Sequence, residues 1–206
     1  MNLQIIISGI GGQGVLFVTE ILAQAALSKG YKVIGSETHG MAQRGGSVIS
    51  HLKMGDFQSP LVRTGTADII YAFDQTEFLR SLPFIRKQGI CFINAPDGNF
   101  LSDKVSQYLT KNQIKLCYIN ANKVALDLGN LLSVNLIMLG FSLCANLPAP
   151  MLRQVGLSAS RGTSGQAGRL PFSKPELEQT IREITPNRFL EMNFKAFRSG
   201  YEVFNK

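Results

Sequence analysis

Along the chain, short apolar runs alternate with stretches whose apolar residues recur every three or four positions. "LQIIIS" (3–8) is a run rich in β-branched residues that ends at a glycine, which predicts a buried strand. From Val15 to Gly30 the apolar positions are 15, 18, 21, 22, 25 and 26, one face of a helix, and Gly30 is a stop signal. "YKVIGSE" (31–37) predicts the next strand, so the first forty residues read as a βαβ unit. "GGSVISHLKMGD" (45–56) alternates: Val48, Ser50, Leu52 and Met54 share one side, and Ile49, His51 and Lys53 the other. It predicts a strand with one wetter face and is a candidate for an antiparallel member.

Further strands are expected at 67–74, 89–96 and 114–121, with a short helix after Asp74 limited by Pro83. An apolar helix is expected over 130–147, ended by Pro148. Ser173 and Glu176 form a capping box ahead of one C-terminal helix, and Thr185-Pro186 opens another, with Phe194, Phe197, Tyr201 and Phe204 on one face. Between the apolar helix and the capping box, 151–172 loses all periodicity, with Gly, Ser and Arg dominating 156–168, and reads as a flexible insertion. The whole, residues 1–206, is expected to be one α/β domain. It is Rossmann-like and three-layered, with a mostly parallel sheet and C-terminal helices. In such sheets ligands bind at the carboxyl ends of the strands. The glycine loops at 9–14 and 40–46, Asp74 and Asn94 all fall there.

Composition narrows the reading. With 45% hydrophobic and 17% charged residues the chain can build a core, yet no apolar run has the length of a membrane span. Without a signal-peptide pattern, a soluble cytoplasmic protein is expected. Cys91, Cys117 and Cys144 are dispersed in apolar runs, which argues for packed thiols rather than cluster ligands. The net charge of +7 includes three arginines at 153, 161 and 169. There is no dense basic run or aromatic ladder, so an acidic small molecule or partner fits better than nucleic acid.

"SGIGGQG" places Gly9, Gly11 and Gly14 in G-x-G-x-x-G spacing between a strand and a helix. Glycines there permit a tight turn and close approach of a ligand, with the helix N-terminus facing an anion. Glu37, 23 residues beyond Gly14, stands near where a ribose-binding acid belongs. Yet it is expected to open a polar loop, "ETHGMAQRGG", with Thr38, His39, Gln43 and Arg44 set among Gly40, Gly45 and Gly46. Three uses remain open. The glycines could serve a dinucleotide, serve packing alone, or face a ligand shared with another chain. Asp74 and Glu77 read first as helix-capping acids, and Asn135 as a structural hydrogen-bonding group. "APDGN" (95–99) reads as a turn rather than a thiamine-diphosphate motif.

The two glycine motifs in series, "SGIGGQGVLFVTEILAQAAL" and "GSETHGMAQRGGSVISHLKMGD", closely resemble the small gamma-type subunit of the 2-oxoacid:ferredoxin oxidoreductases. Within that family the pattern is most like the beta subunit of the indolepyruvate enzymes. "SPLVRTGTADIIYAFDQTE", "NLLSVNLIMLGF" and "NFKAFRSGYEVF" follow in the family's order; 151–172 departs from it. The resemblance implies oxidative decarboxylation of a 2-oxoacid, here an aryl pyruvate, to an acyl-coenzyme A. Thiamine diphosphate, Mg²⁺ and iron–sulfur clusters would sit on a larger catalytic subunit that passes electrons to ferredoxin. This chain would be inactive alone and would hold none of these groups. Its part would be a wall of the active site or a coenzyme A contact. That wall would comprise Gly9, Gly11, Gly12, Gln13, Gly14, Glu37, Thr38, His39, Gly40, Gln43, Arg44, Gly45 and Gly46, with Asp74, Glu77 and Asn135 in support. The rivals are a stand-alone dinucleotide-binding oxidoreductase and a non-catalytic scaffold subunit.

Overall fold

The computed structural model describes residues 1–39, 45–143 and 170–203, with the side chain of His39 excepted. Six strands form one sheet: β1 (Leu3–Ile10), β2 (Val33–His39), β3 (Ser47–Met54), β4 (Ala67–Ala72), β5 (Ile85–Asn94) and β6 (Lys115–Ile119). Their order is β2-β3-β1-β4-β5-β6. β3 runs antiparallel to both of its neighbours, and the β1–β4, β4–β5 and β5–β6 pairs are parallel. The mostly parallel sheet and its antiparallel member agree with the alternation read in the sequence.

The helices are α1 (Val15–Ser28), α2 (Gln75–Ser81), α3 (Asp103–Lys111), α4 (Ala121–Asp127), α5 (Val134–Ser142), α6 (Lys174–Ile184) and α7 (Asn187–Glu202). On one face of the sheet, Ile5, Ile7, Leu52 and Met54 pack with residues of α1, α4, α5, α6 and α7. On the other, Ile6, Ile70, Cys91 and Ile93 pack with Phe78 of α2, Leu109 of α3 and Val62. Two apolar faces of a sheet, each closed by helices, make the three layers. None of the described helices is long and apolar enough to cross a membrane.

Several elements differ from their sequence expectation. Helices α3 and α4 were not anticipated. Each is short, but each is capped: Ser102 Oγ accepts from Val105 N–H at 3.4 Å, and Asn120 Oδ1 accepts from Lys123 N–H at 2.9 Å. The His51/Lys53 side of β3, expected to be the wetter one, is covered, and both residues are buried. The chain after β3 folds back over it. Val62 N–H donates to His51 Nδ1 at 3.2 Å, Phe84 meets the imidazole edge-on, and Phe57 lies under Lys53 Nζ. Burial, then the charge of Lys53, lowers the His51 pKa below its ordinary 6.5, so the ring is neutral near pH 7. Cys91 and Cys117 are free and buried, and burial pushes the Cys91 thiol well up. Cys144, Phe204 and residues 151–169 of the expected insertion lie outside the described residues, but Leu170 and Phe172 at its end are buried, so packing resumes before Ser173.

Helices α5 and α7 meet backbone to backbone. A Cβ built on Gly140 would lie 1.9 Å from the Phe197 carbonyl oxygen, and one on Gly200 would lie 2.0 Å from the Ile137 carbonyl oxygen. Only glycine at both crossings lets the two helices approach so closely. The capping box of α6 ties it to α1: Ser173 N–H donates to Glu176 Oε2 at 2.7 Å, and Lys29 Nζ to Glu176 Oε1 at 2.8 Å. These hydrogen bonds, Lys29 foremost and Ser173 next, hold the Glu176 carboxyl at about 2 against an ordinary 4.5.

Candidate functional site

At the carboxyl end of β1 the chain turns through Gly11–Gly14 into α1. The turn is closed locally: Gln13 N–H donates to the Ile10 carbonyl at 3.0 Å, and Ile10 N–H donates to Gln13 Oε1 at 2.8 Å. Gln13 therefore spends its side-chain oxygen on the loop itself, a structural role that its polar character did not reveal. Gly14 caps α1 with φ 78°, and no side chain caps the helix. The first-turn amides of α1 thus lack the acceptor a Ser or Asp would supply, and no acid stands in that turn. A Cβ on Gly14 would lie 2.1 Å from Asn135 Nδ2. Position 14 is glycine for two reasons, left-handed backbone and the amide of α5 pressed against it. Asn135 is buried and its Oδ1 accepts from Leu136 N–H at 2.8 Å, so it serves packing and its own helix.

The two glycine motifs meet. Gly11 N–H donates to the Gly46 carbonyl at 2.8 Å, joining the β1–α1 turn to the residue that precedes β3. Ser47, next in the chain, donates through Oγ to Glu77 Oε2. Glu77 is buried, with Arg80 Nη1 at 3.5 Å from its other oxygen. Asp74 caps α2, its Oδ1 accepting from Thr76 N–H at 2.7 Å and Glu77 N–H at 3.3 Å. Asp74 is thus the capping acid expected, whereas Glu77 fixes the exit of the second glycine loop. Asn94 Nδ2 donates to the Phe73 carbonyl and to Asn122, and its Oδ1 accepts from Ala121 N–H, stitching β4, β5 and α4. Asp97 accepts from Asn99 N–H at 2.8 Å, the turn expected there.

Glu37 does not open a loop: β2 runs on to His39, and Glu37 pairs with Ser50 inside the ladder. Thr38 Oγ1 donates to the Ile49 carbonyl at 3.3 Å. Gly40, Gln43 and Arg44 lie outside the described residues; Gly45 and Gly46 lie just before β3. Since β3 intervenes, Glu37 stands two strands from β1, roughly 10 Å at ordinary strand spacing, rather than one. That separation disfavours the ribose contact a dinucleotide fold makes beside its glycine loop.

The sequence model of the pyruvate ferredoxin/flavodoxin oxidoreductase family matches residues 4–203. Among curated relatives, the indolepyruvate oxidoreductase subunit IorB of Methanothermobacter thermautotrophicus is 30% identical, over 98% of this chain and 97% of its own. The IorB subunit of Pyrococcus horikoshii is 32% identical over 97% and 94%. Among solved structures, a keto/oxoacid ferredoxin oxidoreductase gamma subunit from Geobacter sulfurreducens shares the fold at TM-score 0.64 and 23% identity, covering 97% of this chain and 96% of its own. A 2-oxoglutarate:ferredoxin oxidoreductase from Magnetococcus marinus, with 2-oxoglutarate, coenzyme A and succinyl-coenzyme A bound, does so at TM-score 0.71 and 18% identity. The match takes in 99% of this chain but 31% of that longer one. The glycine-paired edge thus sits on a known scaffold, and the chain belongs to the pyruvate ferredoxin/flavodoxin oxidoreductase family.

Proposed function

We propose that this chain is the small subunit of a 2-oxoacid:ferredoxin oxidoreductase that converts an aryl pyruvate such as indolepyruvate to its acyl-coenzyme A. The observation that carries the reading is the Gly11–Gly46 hydrogen bond beside the uncapped start of α1. It joins two backbone segments into one edge where no side chain caps the first helix amides and no acid stands in the first turn. Such an edge accepts an anion: a phosphate at a helix N-terminus gains about 0.3–1 kcal/mol, and up to about 2 when partly buried. Arg44, set between Gln43 and Gly45 in the sequence, would add a bidentate donor for the same phosphates.

The described residues of this chain do not suit the other groups of the reaction. Cys91 and Cys117 are buried in the two opposite cores, so they cannot jointly ligate a cluster. Asp97 is used in its own turn. The reading therefore assigns thiamine diphosphate, Mg²⁺ and the iron–sulfur clusters to a larger partner chain, and ferredoxin to the complex as a whole. Thiamine diphosphate bound there would supply the electron sink for decarboxylation. This chain's share is to close one side of that site, exclude water from it and hold the phosphates of coenzyme A.

The test is co-expression with the partner and assay of aryl-pyruvate-dependent dye reduction. The proposal expects activity only with both chains and only with coenzyme A present. Tight binding of NAD(H) by this chain, with no partner needed, would instead support the dinucleotide reading.

A further inference from the structure

β3 ends far from the glycine edge, and cations gather there. Ser47 and Lys53 stand roughly 20 Å apart along the strand. His51 and Lys53, two positions apart, project to the same side of β3, and both are buried, at 5% and 6% exposure. The chain that follows β3 folds back over them. Val62 N–H donates to His51 Nδ1 at 3.2 Å, which brings the exposed Arg63, next in the chain, beside the pair. Phe57 packs against Lys53, its ring centroid 5.1 Å from Nζ. Burial, then the charge of Arg63, lowers the Lys53 pKa, so the guanidinium is within electrostatic reach of the ammonium.

The acids at this end of the sheet are engaged by other cations. Asp68 accepts from Arg86 Nε at 2.6 Å and from Gln4 N–H at 2.8 Å, and Asp56 accepts from Lys32 Nζ at 3.0 Å. Register sets Gln4 and Ile34 beside Lys53, and Ile6 and Ser36 beside His51, so β1 and β2 bring no acid to these rows. Among the described residues, Lys53 Nζ and the Arg63 guanidinium have no acid partner. His51 Nδ1 is an acceptor, so the proton of the neutral ring sits on Nε2, where no described residue accepts it. An ammonium and a guanidinium held together without an acid repel each other, and an anion between them relieves the repulsion.

We propose that Lys53, Arg63 and the Nε2–H of His51 bind a dianionic phosphate group, held between β3 and the loop that follows it. Two cations match its two charges, whereas a carboxylate would leave one of them uncancelled. Arg63 supplies a planar fork for two phosphate oxygens, Lys53 a point charge, and His51 a neutral donor for a further oxygen. The group is either the free ion or the monoester of a small metabolite. Its binding ties residue 63 to residue 53 and fastens the loop to the sheet. The site does not depend on the coenzyme A reading, whose glycine edge is at the other end of β3.

The experiment follows the ring-proton NMR signals of the two histidines in the full chain, assigned with His39→Gln. Inorganic phosphate, glycerol 3-phosphate or acetate is added at constant ionic strength. Both phosphates should shift the His51 signal saturably and raise its pKa, because a nearby dianion favours the imidazolium. Acetate should do neither. Arg63→Gln and Lys53→Met, checked for folding by thermal melts, should each weaken phosphate about ten-fold or more, the loss of a charge-assisted hydrogen bond. Arg63 is exposed, so its variant should fold even if Lys53→Met does not. Saturation by inorganic phosphate but not by glycerol 3-phosphate would assign the site to the free ion. The proposal is overturned if His51 does not respond, if acetate acts as phosphate does, or if folded Arg63→Gln binds phosphate like the wild type.

Discussion

Gly14 concentrates the site's demands in one residue. Its φ of 78° costs a non-glycine residue about 1–2 kcal/mol, and a Cβ would meet Asn135 Nδ2 as well. Gly14→Ala should therefore lower stability by about 2 kcal/mol or more, read from the denaturant midpoint. Adding Asn135→Ala removes the collision but not the backbone strain, so the pair should recover part of the loss. No change in the single variant would mean that the turn is not held as described. The need for a glycine here was legible from the G-x-G-x-x-G spacing. Its second cause was not, because 121 residues separate position 14 from 135 and no periodicity links them. Gln13 misled for a related reason. A glutamine in a glycine turn reads as a ligand contact, but in the fold its oxygen accepts from Ile10 N–H. Glu37 moved from loop to strand because two β-compatible residues, Thr38 and His39, carry β2 onward.

At the scale of elements, the C-terminal helices show two kinds of join. The α5–α7 crossing sets helix propensity against packing. Gly140→Ala gains up to about 1 kcal/mol of propensity, but the added methyl meets the Phe197 carbonyl oxygen. Overpacking costs about 1–3 kcal/mol, so packing should win and the melting temperature should fall. A rise would show that the helices separate freely. The α1–α6 join is electrostatic. Glu176 has its folded pKa depressed to about 2 from 4.5, so its contribution is present above pH 4.5 and lost as pH falls towards 2. Glu176→Gln should flatten the stability profile across that window, measured by urea titration at each pH. The effect stays modest because the side chain is 42% exposed and water screens it. An unaltered profile would remove Glu176 from the acid response. The capping box was plain in the sequence, as was the apolar face of α7. Helices α3 and α4 are hard to read in the sequence although Ser102 and Asn120 are good caps, because at 9 and 7 residues each spans too few turns for an apolar period to show.

For the whole molecule, the βαβ opening and the later strands made the layered fold readable from apolar runs alone. Strand order was not readable, since β3 slips between β1 and β2 without any sequence mark beyond its alternation. That insertion shapes the account of function. It brings Gly46 to Gly11, moves Glu37 away from the glycine turn and leaves a cavity between α1 and the sheet edge. This arrangement favours the proposed coenzyme A edge, shared with a partner chain, over a self-contained dinucleotide site. The most direct measurement is native purification of the chain with whatever binds it, followed by indolepyruvate oxidation with coenzyme A supplied or withheld. The account predicts a larger subunit carrying thiamine diphosphate and iron–sulfur clusters, and turnover that stops without coenzyme A. A chain that purifies alone and oxidises or reduces a substrate with NAD(H) would contradict it.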